Sequence, residues 1–147
     1  MPIVGFNLTN IQAEKKNQIN EDTKISINSK LGITDLKKED LPTGKTKTKG
    51  LKFDFEFSLE YQPNIAKIII NGFIYFMDDS ANIEELVKNW QKNKKLPVEI
   101  QQQILSMVIL KTTIKALSLE QEINVPPHIP FPSVQPVPKK SAEGYIG

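Results

Sequence analysis

Six alternate positions, Leu51, Phe53, Phe55, Phe57, Leu59 and Tyr61, are apolar, while the residues between them, Lys52, Asp54, Glu56, Ser58 and Glu60, are polar. This period of two, carried by β-favouring aromatics, predicts a strand over 51–61 with one buried and one wet face. Tyr61-Gln62-Pro63-Asn64 reads as a turn, and residues 65–77 as the returning strand. That strand is apolar on both faces, with Ile68, Ile70, Ile74 and Phe76 on one and Ile69, Phe73, Tyr75 and Met77 on the other. It belongs inside a sheet or at a subunit contact, and Gly72 marks a bend or bulge within it. Two more strands are expected upstream, over 3–15 and 24–36. In the first, the apolar positions switch phase from Phe6 and Leu8 to Ile11 and Ala13, as a β-bulge makes them do. The second carries Ile25, Ile27, Leu31 and Ile33.

Beyond Met77 the period changes. Asp78-Asp79-Ser80 offers N-cap residues and negative charge for a helix start. Ile83, Leu86, Val87 and Trp90 then fall at i, i+3, i+4 and i+7, one helical face, and Lys92, Lys94 and Lys95 suit its C-terminus. Pro97 opens a second helix, and no proline or glycine interrupts residues 100–123. At roughly 1.5 Å per residue it would be about 37 Å long. Between Ile104 and Leu110 its apolar residues run nearly all round, which predicts burial on two sides and a helix shared with a second subunit.

Six of the ten prolines lie between Pro126 and Pro138. This shift in composition divides the chain into an α+β domain over 1–125 and an extended, proline-rich arm and tail over 126–147. The arm carries Ile129, Phe131, Val134 and Val137. Pure disorder usually lacks such apolar residues, so part of the arm is expected to pack on something. The expected fold is α+β: an antiparallel sheet of about four strands, two helices upon it, and the arm.

Composition removes several kinds of chemistry. The chain has no cysteine, so disulfides, thiolate catalysis and cysteine-bound zinc are excluded. No apolar run reaches the length of a membrane span, and residues 1–9 lack the pattern of a signal peptide, so a cytoplasmic protein without membrane contact is expected. All 19 basic residues are lysine. Without arginine to fork onto base edges, sequence-specific DNA reading is not expected, whereas phosphate contact remains open to lysine.

Thr43-Gly44-Lys45-Thr46 ends like a phosphate-binding loop, but Glu39 stands where that motif needs a glycine and a strand follows where it needs a helix. A hairpin tip is the better reading. His128, the single histidine, has no partner set for a metal or a triad and is expected on the surface or packed within the arm. Asp54, Glu56 and Glu60 share a strand face and are explained by solvation. No catalytic residues, cofactor or metal are therefore expected, and the protein reads as non-enzymatic.

The order of elements, with the strand pair over 51–77, the long helix after Pro97 and the exit Asn124-Val125-Pro126-Pro127-His128-Ile129-Pro130-Phe131-Pro132, resembles the SecB family of export chaperones. The resemblance implies a non-enzymatic dimer or tetramer with apolar grooves for extended polypeptide. Its protein-binding residues would be Phe73, Tyr75, Trp90 and Phe131, with a client polypeptide or a second copy as partner. The pattern also looks like uncharacterised archaeal proteins of this size. For these the alternative role is a ribosome-associated factor, a subunit-binding or subunit-bridging homodimer. It would touch rRNA backbone through Lys45, Lys47, Lys49, Lys92, Lys94, Lys95, Lys139 and Lys140.

Overall fold

The computed structural model describes residues 3–43, 46–130, 132 and 134, with the backbone alone for 42–43, 46–48 and 80. Four antiparallel strands, β1 (Ile3–Lys15), β2 (Ser26–Thr43), β3 (Thr46–Gln62) and β4 (Ala66–Met77), precede helices α1 (Ser80–Asn93) and α2 (Val98–Glu122). The sheet order is β1-β4-β3-β2, which places the most apolar strands at the centre. This is the α+β architecture expected from the hydrophobic pattern.

Period two decides which face the helices cover. Leu51, Phe53, Phe55, Leu59 and Tyr61 of β3 are buried with Ile68, Ile70, Ile74 and Phe76 of β4. Phe6 of β1 stacks on Phe55 at 5.4 Å between ring centroids, and Phe53 meets Phe76 edge-on at 6.0 Å. Phase in β1 slips between Leu8 and Asn10, opposite Asn71 and Gly72, so the bulge predicted there is present.

The β2–β3 hairpin is longer than the alternation predicts. Strand β2 continues from Leu36 to Thr43, and β3 begins at Thr46, with Thr43 paired to Thr46. Lys37, Lys38, Glu39 and Asp40 carry no hydrophobic period. Pairing to a strongly apolar neighbour supplies the strand instead, and Leu41 is buried where Gly50 leaves room for its side chain.

Asp79 caps α1, its carboxylate accepting from the Asn82 N–H at 3.0 Å. Helix α2 buries Ile104, Val108, Thr112, Ala116, Leu119 and Glu120, which form one stripe. The second buried side expected for this helix is not found within one chain, because Ile109, Leu110 and Ile114 are 51 to 61% exposed. One sheet face can accept only one face of a straight helix. Among the described residues no helix is long and apolar enough to cross a membrane.

Candidate functional site

Where α1 ends, the chain turns above the edge strand β2 and leaves a groove of about 170 Å³. Its floor is Leu31, Gly32 and Ile33 of β2, its wall is Trp90, Lys94 and Leu96, and Gln101 and Leu105 of α2 close the far side. Leu31 and Ile33 pair with Phe57 and Phe55, so they lie on the helix-covered side of the sheet. Among the described residues no strand pairs with β2 beyond β3, and Leu31, Gly32 and Ile33 are half-buried. The groove mixes apolar side chains, Leu31, Ile33, Trp90, Leu96 and Leu105, with the polar Lys94 and Gln101.

Helix termination shapes this wall. Lys94 adopts a left-handed conformation with φ of 56° while its N–H donates to the Trp90 carbonyl at 2.9 Å. Glycine is the common residue there. Lysine instead carries its ammonium to 5.4 Å from the Trp90 ring centroid. Trp90 is only 6% exposed, and its indole N–H has no acceptor among the described residues.

A second constellation sits at the other end of α2. The Glu120 carboxylate, buried, accepts from the His128 backbone N–H at 2.7 Å and lies 2.5 Å from His128 Nδ1. The Tyr61 hydroxyl donates to the Pro126 carbonyl at 2.7 Å. Burial first, and then the hydrogen bond and charge of Glu120, push the Tyr61 hydroxyl far above the ordinary phenol range, so it remains a donor. His128 meets Phe57 edge-on at 5.8 Å. These contacts fasten the start of the arm onto β3. Glu120 carries a legible signal: Ile104, Val108, Thr112 and Ala116 step by four along the buried stripe, and Glu120 is the next step. A carboxylate on a core stripe requires a buried partner.

The residues singled out from sequence fall in several places. Trp90 lines the groove. Phe73 and Tyr75 lie on the opposite, helix-free face of the sheet, half-buried, with their rings 5.0 Å apart and Lys52 Nζ 4.4 Å above the Phe73 ring. The period of two that buries Ile74 and Phe76 turns both aromatics away from the helices. The structure therefore does not bring them together with Trp90. Asp54, Glu56 and Glu60 share that open face. Lys49, Lys92, Lys94 and Lys95 are exposed. Phe131, Lys45, Lys139, Lys140 and the side chain of Lys47 lie outside the described residues. Glu84, on the exposed side of α1, is held below the usual carboxylate range by its hydrogen bond and ion pair with Lys38, at 3.2 Å. Among the described residues no group of three acidic or histidine side chains is placed to hold a metal ion.

No family model matches the chain, and no curated protein matches it in sequence. Among solved structures it is similar to the Mycobacterium tuberculosis Rv1957 SecB-like chaperone, solved in complex with a ChAD peptide from the Rv1956 HigA1 antitoxin. The likeness covers 92% of each chain with a TM-score of 0.51 and 10% sequence identity. What the two proteins share is the SecB-like fold: an antiparallel sheet of four strands followed by two helices.

Proposed function

We propose that this chain is a non-enzymatic, chaperone-type binding protein that holds extended polypeptide in the groove between β2, the end of α1 and the start of α2. The observation that carries the reading is a cleft of mixed apolar and polar lining beside β2, the edge strand of the described sheet. An extended chain laid there has main-chain donors and acceptors on one side and apolar pockets on the other. The similar SecB-like chaperone was solved with a peptide, which supports a polypeptide as the class of ligand.

Titration of the full chain into a labelled, permanently unfolded polypeptide tests this by fluorescence anisotropy. Saturable binding is expected. Gln101 is an exposed helix residue on the rim of the groove, so Gln101→Phe should narrow the cleft with little effect on folding. A loss of affinity of about tenfold, equivalent to about 1.4 kcal/mol, is expected for it. Absence of saturable binding by the parent chain would overturn the reading.

The partner set also includes a second copy. Ile109, Leu110 and Ile114 form an exposed apolar stripe on α2, of the kind that marks an interface. Sedimentation equilibrium is expected to give a mass above the 16.6 kDa of one chain. A charged residue at Leu110 should restore the monomer, and a parent protein that is monomeric at every concentration would exclude the dimer.

A further inference from the structure

The groove is electrically one-sided. Lys94 is the charged side chain in its lining, which contains no carboxylate. The described ion pairs of lysine engage Lys37, Lys38 and Lys67 and leave Lys94 over the Trp90 ring. Helix α2 begins between Leu96 and Gln101, two of the lining residues, and Pro97 at its N-cap has no side chain to offer the free N–H groups of the first turn. Those groups are the positive end of a 25-residue helix. Trp90 adds another donor. Its buried indole N–H meets no acceptor among the described residues, although buried donors are nearly always paired. The nearby carboxylates are accounted for elsewhere. Glu99 is exposed and stands roughly 200° round the helix from Gln101, Glu84 is held by Lys38, and Glu85 lines a separate cleft with Asp78.

Resting on the groove reading above, we propose that the groove selects acidic segments: extended polypeptide with an apolar residue and, two positions on, an aspartate or glutamate. Alternation puts residues i and i+2 of an extended chain on one face, about 7 Å apart. The apolar side chain then covers Leu31 and Ile33, while the carboxylate meets the Lys94 ammonium and the donors around it. A charge-assisted bond of this kind is roughly twice as strong as a neutral one. The carboxylate belongs to a side chain, not to a chain end, because the floor lies in mid-strand. Leu31, Gly32 and Ile33 stand well inside Ser26–Thr43, so polypeptide laid along β2 passes through the groove instead of stopping in it.

Four labelled peptides of one serine- and threonine-rich sequence test this against the full chain by fluorescence anisotropy. Each carries a central leucine. Two positions later stands glutamate, glutamine or lysine with an amidated C-terminus, or glutamine with a free C-terminal carboxylate. The glutamate peptide should bind about tenfold tighter than its amidated glutamine counterpart, and the lysine peptide most weakly. Rising salt should shrink the advantage. Lys94→Gln, an exposed change, should abolish it while leaving the affinity for the amidated glutamine peptide within about twofold. The single tryptophan gives one indole N–H resonance, which the glutamate peptide should move downfield. Equal affinity for glutamate and glutamine overturns the acidic preference, as does a preference that survives Lys94→Gln. A free-ended peptide that matches the glutamate peptide overturns the side chain as the source of the carboxylate. If the four peptides fail while unfolded polypeptide binds, the preference falls and the groove reading stands; if unfolded polypeptide fails as well, both fall.

Discussion

Replacing Glu120 with alanine is expected to cost about 3 to 5 kcal/mol of folding stability, the range for breaking a buried pair by removing one partner. The carboxylate accepts from the His128 N–H and lies against Nδ1, and it sits beside the Tyr61 hydroxyl. Alanine leaves the His128 donors buried and unmet, at about 1 to 3 kcal/mol for such a group. It also opens a cavity against Phe57, Tyr61 and Val125, which hold the end of α2 to the sheet. Glu120→Gln keeps the volume and one acceptor, so a smaller loss of about 1 to 2 kcal/mol is expected. Urea unfolding followed by circular dichroism measures both. If Glu120→Ala falls within about 0.5 kcal/mol of the parent, as an ordinary surface change does, Glu120 is not the fastening of the arm.

This clamp was the least legible part of the sequence, and the reason is physical. His128 and Glu120 are polar residues whose meaning depends on a meeting between the end of a helix and a proline-rich segment after it. No local period encodes such a meeting; only the four-step spacing from Ile104 places the carboxylate on the core stripe. The strands over 3–15 and 51–77 were legible because one wet and one dry face impose alternation, and even the bulge near Leu8 left its phase slip. The stretch from Lys37 to Asp40 was illegible as strand because pairing, not its own pattern, holds it. The groove is intermediate. Trp90 is readable as an aromatic on a helix face, but its neighbours Leu31 and Ile33 come from an edge strand distant in sequence. Phe73 and Tyr75 show the converse: a strand apolar on both faces announces that the second face matters without saying to what.

Gly72 carries the second large effect, and here the sequence announced the position without the cause. Substituting even alanine at Gly72 is expected to cost about 3 kcal/mol, the upper range for overpacking, and valine more. A Cβ at this position would come within 2.2 Å of the Asn7 carbonyl oxygen and 2.7 Å of Phe55 Cζ. The first of these atoms is backbone and cannot rotate aside. Relief requires β1 to lift from β4 at the bulge, which removes Phe6 from its stack on Phe55 and Leu8 from the core edge. The built-in control is Gly32, where a Cβ meets no heavy atom within 4 Å. Gly32→Ala should therefore be neutral or stabilising by roughly 0.5 kcal/mol, since it mainly reduces the freedom of the unfolded chain. Hydrogen exchange localises the damage: in Gly72→Ala, amides of β1 should lose protection before those of the β3–β4 hairpin. Equal stability of the two alanine variants would show that β1 accommodates a side chain at Gly72, and that close approach is not why glycine stands there.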